Sequence, residues 1–529
     1  MPPQIILCTL NARYIHASLG LRYLKANLNR HGRDGLEELC VLREYTIKRP
    51  VAEIVGDLLS ALGDPVPGQA QLVGFGVYIW NVEQTRAVIQ ALRLRRPALK
   101  IILGGPEVSH EVDGQDIVAL ADHVITGWGD VSFAKLCKAL IDGPAPLMKV
   151  CAGEQAPLDE IEPPYALFSD TDLRERILYV EASRGCPFKC EFCLSALDKT
   201  AWAFELPRFI ASLDGLYQRG ARQFKFVDRT FNLKVGASAQ ILEFFLRKFR
   251  TISDPARIDL RLHFEVVPDH LPERLKALLC QFPPGVLQLE IGIQTLNPVV
   301  QKDISRKQDN ALALANLRWL LANTHAHLHV DLIFGLPGET LQSFGQGFDQ
   351  LLSVGPHEIQ LGLLKRLRGA PIARHTQAHQ MVYDSQAPYT VLQTAVVSAQ
   401  EVTHFARLAR YWDLIANSGR FKEGLVLLLG LAQNKSAFLN FWDFSLALWS
   451  EQQRAHQLTP ETLLDAIFNY LCSKGLPANE VRQRLLSDYL RSGAKNQPEC
   501  LRGLLSKSGA KPAQNPFQRH KRQRQHLAV

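Results

Sequence analysis

The sequence predicts an α/β protein with three parts: a doubly wound parallel sheet, a partial (β/α)6 barrel and an α-helical C-terminal region. Three observations predict this fold class. Up to about residue 375, short apolar runs that are typical of buried strands alternate with stretches of helical apolar spacing. Glycines or polar residues follow several of these runs directly, at the points where parallel strands would end. After residue 375 the apolar runs have mainly helical spacing.

Residues 1–145 are predicted to form the doubly wound domain, with a flavodoxin-like alternation of elements. The strands are predicted at 4–9, 72–78, 100–103 and 123–127, and the helices at 19–28, 82–94 and 131–140. Gly104, Gly105 and Gly127 lie at strand ends, the edge at which such a sheet binds its ligands. Because glycine has no side chain, we expect a ligand to approach the backbone closely there.

Residues 146–171 contain several prolines and are predicted to be a linker. Residues 172–375 are predicted to form the partial barrel, with strands at 177–180, 224–228, 262–266, 287–294, 329–335 and 359–364. Side chains at the carboxyl ends of barrel strands face the site of such a fold. This places Asp228, Glu265, Gln294 and Asp331 among the candidate site residues.

Residues 376–510 are predicted to form a helical domain, with helical runs at 391–408, 424–431 and 462–471. We find no chemical motif in this region, and its many aromatic residues are expected to be core. Residues 511–529 are predicted to be a basic, disordered tail that carries part of the net charge of +8. A polybasic tail is able to bind nucleic acid, but a solvated end is the more common role, so nucleic acid is not the expected partner.

The composition indicates a globular protein with an ample core, since 47% of the residues are hydrophobic and 21% are charged. No apolar run reaches membrane-spanning length, and the first residues lead into a strand rather than a signal peptide, so we expect no membrane association. The ten cysteines form no disulfide framework in a chain of this length. Together with the cysteine motif described next, they indicate the reducing cytoplasm.

Three cysteines lie close together directly after the first barrel strand. Cys186, Cys190 and Cys193 have the spacing C-x3-C-x2-C, so a short loop can turn three soft thiolate ligands toward one point. This suits an iron–sulfur cluster in which three irons are held by the protein and the fourth is open. A structural zinc site would need a fourth ligand nearby, and residues 194–202 contain neither cysteine nor histidine. Three unligated thiols are the remaining alternative, and clustered exposed thiols are a liability in a protein.

This motif, with Phe192 before its third cysteine, resembles that of the radical S-adenosylmethionine (radical SAM) enzymes. The resemblance implies a [4Fe–4S] cluster whose open iron binds S-adenosylmethionine. It also implies that an electron from the cluster cleaves the cofactor and releases a 5′-deoxyadenosyl radical. An external electron donor such as flavodoxin or ferredoxin is then expected as a partner.

Later segments of the barrel are similar to the branch of this family that includes oxygen-independent coproporphyrinogen oxidase. The similar segments are 291–295, 304–306 and 331–340. The resemblance implies that Glu265, Gln294, Arg306 and Asp331 contact S-adenosylmethionine and that Phe192 lies against its adenine. Arg306 suits the methionine carboxylate chemically. Where the family often has Gly-Gly-Glu after the second strand, this chain has residues 227–232, and Asp228 is the candidate for the amine contact.

The N-terminal domain is similar to the cobalamin-binding domains of one large radical SAM class. The resemblance lies in residues 102–106 and 124–130, and it implies that Gly104, Gly105 and Gly127 surround the corrin and its nucleotide tail. The D-x-H-x-x-G motif, whose histidine binds cobalt in other cobalamin proteins, is missing, and His16 does not have its spacing. Cobalamin is therefore expected to bind without a protein ligand to cobalt.

The resemblance implies a cytoplasmic, cobalamin-using radical SAM enzyme that transfers a methyl group to an unactivated carbon or catalyses a related rearrangement. The substrate, a small molecule or otherwise, is not indicated by the sequence. One alternative is a tRNA-modifying radical SAM enzyme of the methylthiotransferase type, although the first 150 residues contain no second three-cysteine set. Another is a cobalamin- or redox-responsive binding protein without turnover, which the intact cysteine motif and the cofactor set argue against.

Overall fold

The computed structural model describes residues 3–250, 259–431 and 436–504. Its N-terminal part is a six-stranded sheet with the order β2-β1-β3-β4-β5-β6, and all its pairs are parallel. The strands are β1 Ile5–Asn11, β2 Cys40–Thr46, β3 Leu72–Gly76, β4 Lys100–Gly104, β5 His123–Thr126 and β6 Val150–Ala152. The predicted parallel α/β architecture is confirmed.

Helices cover both faces of this sheet, as a doubly wound fold requires. They are α1 Leu19–Ala26, α2 Leu28–His31, α3 Val51–Leu62, α4 Val82–Arg95, α5 Asp116–Ala119 and α6 Asp130–Asp142. One apolar core packs α3 and α4 against one face, and a second packs α1, α2 and α6 against the other. Each face of the sheet is therefore buried under its own layer of helices.

Two strands of this sheet were not predicted, and both lie at its edges. In β2 only Cys40 and Tyr45 are fully buried, so the strand lacks the long apolar run that marks a central strand. β6 has three residues and no buried side chain, and it pairs with β5 inside the segment predicted as a linker. The prediction that residues 146–171 are only a linker is therefore wrong at Val150–Ala152, where the sheet continues.

The second sheet is the partial barrel, with six parallel strands in the order β14-β13-β12-β11-β10-β7. Its strands are β7 Leu178–Val180, β10 Gln223–Phe226, β11 Arg261–Val266, β12 Leu287–Gln294, β13 His327–Phe334 and β14 Glu358–Leu363. A two-stranded ribbon, β8 Ser183–Arg184 with β9 Trp202–Ala203, follows the first strand. The helices of this region are α7 Asp170–Glu175, α8 Leu206–Gln218, α9 Val235–Arg250, α10 Glu273–Leu279, α11 Pro298–Asp303, α12 Asn310–Asn323 and α13 Leu341–Val354.

After the barrel, an antiparallel hairpin precedes a helical region. The hairpin is β15 Val382–Tyr383 with β16 Val391–Gln393, and the helices are α14 Ala399–Ile415, α15 Lys422–Leu429, α16 Ala437–Gln452, α17 Pro460–Ser473 and α18 Ala478–Ser492. The predicted helix over 391–408 is wrong in its first residues, which form β16. The helix begins only after Ser398, which forms a capping box with Glu401.

The C-terminal helices share one apolar core with the barrel. The Phe405 ring stacks on Phe334 of β13 with centroids 4.1 Å apart, and Trp412 meets Phe348 of α13 at 4.9 Å. The boundary predicted at residue 376 therefore does not separate two cores. The predicted disordered tail, 511–529, lies outside the described residues. Among the residues that are described, no helix is both long and apolar enough to cross a membrane.

A buried group of charges joins the N-terminal sheet to the helix that precedes the barrel. Arg22 pairs with Glu44 and with Asp172 of α7, each at 2.9 Å, and Arg176 pairs with the same Glu44 carboxylate at 2.9 Å. These side chains are at most 11% exposed. Since two guanidinium groups share the Glu44 carboxylate, removing it would leave buried charges without their partner.

We therefore expect Glu44→Ala to destabilise the protein by about 3–5 kcal/mol. Urea unfolding followed by circular dichroism would measure this. Glu53→Ala is the matched control, because Glu53 pairs with Arg49 on the exposed surface of α3, where such a pair contributes at most about 1 kcal/mol. Equal losses of stability in the two variants would contradict the importance of the buried group.

Candidate functional site

A cavity of about 260 Å³ lies in the barrel, beside the loop that follows β7 and β8. Eight of the nine barrel residues that the sequence predicts as site residues line it: Cys186, Cys190, Cys193, Phe192, Glu265, Gln294, Arg306 and Asp331. They come from the cysteine loop, from β11, β12 and β13, and from the segment after α11. The ninth, Asp228, does not line this cavity.

The three cysteines share the cavity as free thiols. Among the described residues, no group of three or more His, Cys, Asp or Glu side chains stands close enough to hold a metal ion. Burial raises the pKa of the Cys186 and Cys190 thiols, while the Arg306 guanidinium, with Nη1 3.6 Å from the Cys190 sulfur, acts in the opposite direction at Cys190. Three soft donors beside one open cavity fit an iron–sulfur cluster with one iron left for a further ligand.

Glu191, inside the cysteine loop, ties the loop to two other segments. Its buried carboxylate accepts hydrogen bonds from Ser305 Oγ at 2.5 Å and from Arg374, and it bonds to His375 Nε2 at 2.7 Å. Its backbone N–H donates to the Ile304 carbonyl at 3.1 Å. The loop has no regular structure of its own between Gly185 and Cys193, so these contacts hold it in place.

Asp228 has a different place from the one predicted. Its carboxylate accepts hydrogen bonds from the Ala182 backbone N–H at 3.0 Å and from Ser183 Oγ at 2.6 Å. Burial raises its pKa to about 7. The side chain is 3% exposed and points to the start of the cysteine loop rather than into the cavity. In this structure Asp228 positions the segment that leads into the cysteine loop. Its place after a strand was compatible with either this role or a contact to a cofactor, so the sequence alone could not distinguish the two.

Gln294 enters the cavity because β12 is irregular at its end. The pairing of β12 with β13 shifts register between Gly292 and Gln294, and Gln294 has a φ of +68°, which non-glycine residues rarely adopt. Its side-chain Oε1 is buried and has no hydrogen-bond partner in the structure. A strained residue with an unpaired buried acceptor is typical of a ligand-binding position.

Arg306 closes one side of the cavity. Its guanidinium donates to the Gly292 carbonyl and to the Gln308 side chain at 2.8 Å. A planar guanidinium at this point suits a carboxylate of a ligand.

Glu265 lies on another wall of the cavity and is paired with a cation. Arg229 Nη1 contacts both oxygens of the Glu265 carboxylate at 3.0 Å.

The sequence analysis missed several charged residues around the cavity. Arg229, Glu290 and Lys307 line it. Glu290 bonds to His263 Nε2 at 2.7 Å and to Lys225 at 3.2 Å. Burial opposes ionisation of Glu290, but the hydrogen bond from His263 and the nearby positive charges hold its pKa well below the usual range. The alternation of polar and apolar residues along β12 was the signal that could have identified Glu290 as facing inward.

A second cavity, of about 270 Å³, lies in the N-terminal domain between the sheet and the layer formed by α1 and α6. In β3, Val73 and Phe75 pack on the other face, so Gly74 and Gly76 occupy positions on this face that would otherwise carry side chains. Gly104, Gly105 and Gly127, all predicted as site residues, also line the cavity. The glycines leave room for a ligand at the carboxyl edge of the sheet.

The glycines in this cavity are not equivalent. A Cβ on Gly105, whose φ is +108°, would lie 2.5 Å from the Val77 carbonyl oxygen, so a substitution there would displace the backbone. A Cβ on Gly104 would find its nearest atom 3.8 Å away. Gly104 is therefore the position from which a larger side chain can enter the cavity without a backbone clash.

His16 does not line either cavity. Its Nδ1 bonds to the Tyr179 hydroxyl of β7 at 2.7 Å, and burial lowers its pKa. It therefore lies where the two sheets meet.

Two family models match the chain after residue 179. Residues 180–351 match the radical SAM superfamily, and residues 377–528 match a family described as a protein of unknown function, DUF4080. The second match reaches into the segment predicted as a basic tail. Residues 180–351 are a radical SAM domain, as the cysteine motif predicts.

Two curated relatives are similar to this chain over more than half of its length. The chain is 24% identical over 352 residues to 2-(S-pantetheinyl)-carbapenam-3-carboxylate methyltransferase of Streptantibioticus cattleyicolor. This match covers 59% of this chain and 49% of that protein. The chain is also 24% identical over 354 residues to the cobalamin-dependent radical SAM methyltransferase TokK of Streptomyces tokunonensis, with 60% and 50% covered. The chain thus spans about half the length of these relatives.

Among solved structures, the chain is similar to the cobalamin-dependent S-adenosylmethionine radical enzyme OxsB with aqua-cobalamin and S-adenosylmethionine bound. The TM-score is 0.60 at 13% identity, and the match covers 94% of this chain and 82% of OxsB. The predicted resemblance to radical SAM enzymes with a cobalamin-binding domain is therefore confirmed. The chain combines a radical SAM domain with the fold of the cobalamin-dependent enzymes of that superfamily.

Proposed function

We propose that the protein is a cobalamin-dependent radical SAM methyltransferase. The observation that carries this proposal is the pair of cavities, one lined by three thiols in the barrel and one lined by glycines in the N-terminal sheet. Arg184, which lines the glycine cavity, stands two residues before Cys186, which lines the barrel cavity, so one short segment contributes to both linings. Two relatives that are similar to this chain over more than half of its length are methyltransferases, which supports methyl transfer as the reaction.

In this proposal Cys186, Cys190 and Cys193 hold a [4Fe–4S] cluster, and S-adenosylmethionine occupies the rest of the barrel cavity. Arg306 pairs with its carboxylate, Gln294 and Asp331 supply polar contacts, and Phe192 packs on its adenine. Glu265 contacts it alongside Arg229. When bound, the cluster supplies the electron that cleaves the cofactor, and cobalamin carries the methyl group. The roles of the protein's own residues are binding and orientation.

Cobalamin is proposed to bind in the glycine cavity, beside Gly104, Gly105 and Gly127. The cavity is mainly apolar in its lining and opens at the edge where doubly wound sheets bind ligands. A flavodoxin- or ferredoxin-like donor is the proposed source of electrons. The ten cysteines are all free thiols, which supports a reducing, cytoplasmic location. Over the tRNA-modifying and non-catalytic alternatives, we favour the methyltransferase because two relatives are methyltransferases and one of them is a cobalamin-dependent radical SAM enzyme.

The direct test of this function is anaerobic reconstitution with iron and sulfide, followed by assay of S-adenosylmethionine turnover with and without cobalamin. We expect S-adenosylhomocysteine, the product of methyl donation, only when cobalamin is present. Formation of 5′-deoxyadenosine without any uptake of cobalamin would leave a radical SAM enzyme but would refute the cobalamin-dependent assignment.

Replacing Cys186, Cys190 or Cys193 with Ala should abolish iron loading, because each supplies one of three ligands to the cluster. Iron and sulfide content after anaerobic reconstitution would measure this. Cys151→Ala, in the first sheet, and Cys280→Ala, at an exposed position after α10, are the controls and should load iron normally. If Cys151→Ala lost as much iron as Cys190→Ala, the ligand assignment would be wrong.

Arg306→Ala should weaken S-adenosylmethionine binding about tenfold to a hundredfold, since a hydrogen bond to a charged group contributes about 1.5–3 kcal/mol. Equilibrium binding to the cluster-loaded protein would measure the affinity, and iron content would show that the cluster is retained. Arg318→Ala, at an exposed position on α12, is the matched control. An unchanged affinity in Arg306→Ala would remove this residue from the site.

Gly104→Leu should block cobalamin while leaving iron loading intact, because the new side chain would enter the cavity of the N-terminal domain alone. Bound cobalamin would be measured by absorbance after gel filtration. Gly56→Leu is the control in the same domain. Gly56 lies on α3, across the sheet from the cavity, and a Cβ at this position would meet no atom within 4 Å. His16→Ala should change the cobalamin spectrum little. Full cobalamin uptake by Gly104→Leu would place the corrinoid elsewhere.

A further inference from the structure

The wall of the glycine cavity is connected to the cysteine loop by two sets of contacts across the domain junction. The cavity wall includes Trp128, from the turn after β5, and Asp130, the first residue of α6. The cysteine loop begins after Arg184 of β8, and the residues around Asp198 form the turn that leads to β9. These segments are separated by more than fifty residues in sequence, so only the tertiary fold brings them together.

The first set of contacts passes through Arg184. Its guanidinium donates to Asp130 Oδ2 at 2.8 Å through Nη1 and to Glu181 Oε1 at 2.7 Å through Nη2. The side chain is 16% exposed and those of Asp130 and Glu181 are 7% and 10% exposed. The guanidinium also lies over the rings of Trp128 and Tyr23, at 4.8 and 4.9 Å from their centroids. Arg184 is thus fixed from both domains at once.

The second set passes through Asp198. Its Oδ2 accepts a hydrogen bond from Trp128 Nε1 at 2.8 Å, and its backbone carbonyl accepts one from the Cys186 N–H at 2.8 Å. Its Oδ1 accepts from the Thr200 hydroxyl at 2.7 Å. One residue therefore joins the indole that lines the glycine cavity to the backbone of the first cysteine.

The turn at Asp198 presses closely on the cysteine loop. Gly185 has a φ of +88°, and a Cβ there would lie 2.6 Å from Thr200 Oγ1 and 2.9 Å from Asp198 Oδ1. The Thr200 hydroxyl also donates to the Arg184 carbonyl at 3.3 Å. Because there is no free space between the two segments, a displacement of the turn would displace Gly185 and Cys186 with it.

We propose that Trp128, Asp198 and Arg184 are positioning residues that couple occupancy of the glycine cavity to the geometry of the cysteine loop. A ligand against Trp128 fixes the indole and, through Asp198, the Cys186 backbone. By linkage, the loaded cysteine loop fixes the indole and strengthens binding in the cavity by the same factor. This inference rests on the proposed function, in which the ligands are cobalamin and the iron–sulfur cluster.

The test is the affinity of hydroxocobalamin for the full-length protein, measured once with the cluster loaded and once with the cluster removed. The ratio of the two dissociation constants reports the coupling and is independent of any direct contribution of a residue to cobalamin binding. For the unaltered protein we expect the loaded form to bind about fivefold or more tightly. The electron paramagnetic resonance spectrum of the reduced cluster should also shift when cobalamin is added.

Trp128→Phe is the decisive variant, because it keeps an aromatic ring in the wall and removes the hydrogen bond to Asp198. In this variant the ratio of the two hydroxocobalamin dissociation constants should fall to near one, and the shift of the cluster spectrum on addition of cobalamin should be lost. Trp202→Phe is the matched control: its ring lies edge-on to Trp128 with centroids 5.8 Å apart, and the structure gives its indole no hydrogen bond across the junction. This variant should keep the ratio and the shift. Arg184→Lys, which retains the charge but loses the planar fork, should show an intermediate ratio.

A ratio of one in the unaltered protein, or a ratio in Trp128→Phe equal to that in Trp202→Phe, would overturn the coupling. If Arg184→Lys fails to load iron, Trp128→Phe alone decides. Absence of cobalamin binding in both the loaded and the cluster-free protein would refute the proposed function and this inference with it. Equal binding to both forms would overturn the coupling alone, so the two failures are distinguishable.

Discussion

The structure depends on holding an irregular loop of eight residues, Cys186 to Cys193, in one place. The loop has no helix or strand of its own, and its three thiols must stay beside one cavity. Its order comes from outside: Asp228 binds Ala182 and Ser183 just before it, the Asp198 carbonyl binds the Cys186 N–H, and Glu191 anchors its second half. The buried carboxylates of Asp228 and Glu191 would be costly without partners, and both accept hydrogen bonds.

The same loop is where the N-terminal domain and the barrel meet. The Glu44 and Arg22 group joins the first sheet to α7, and the Arg184 group joins the cavity wall to β8. On the far side, Glu107 and Glu111, which follow β4, pair with Arg368 and Arg366 after β14. Charged contacts around the junction fix the carboxyl edge of one sheet against the other, and both cavities open from those edges. The two cavities therefore lie on edges that these contacts hold together.

Much of this could be predicted from local patterns. Apolar runs and alternation identified the central strands of both sheets, because side chains buried on one or both faces leave a periodic signal. The cysteine spacing identified the radical SAM domain. The edge strands Cys40–Thr46 and Val150–Ala152 left no such signal, because few of their side chains are buried. Asp228 was correctly placed at a strand end, but whether it faces a ligand or a loop depends on a residue 46 positions earlier in sequence.

The contacts across the domain junction were beyond sequence reasoning for the same reason. No sequence pattern relates Trp128 to Asp198. Only the tertiary fold places Trp128 Nε1 2.8 Å from Asp198 Oδ2. The glycines show the converse case. Their number at strand ends was visible in the sequence, but only the structure shows that Gly105 is required by the backbone at Val77 whereas Gly104 borders open space.

The proposed function requires that one chain bind both an iron–sulfur cluster and a cobalamin. The most direct measurement is a cobalamin titration of anaerobically reconstituted protein, followed by absorbance, with iron, sulfide and cobalt counted on the same sample. We expect one [4Fe–4S] cluster and one cobalamin per chain, with the absorbance spectrum of cobalamin that has no protein ligand to cobalt. A sample with a complete cluster and no stoichiometric cobalamin would refute cobalamin binding by this chain.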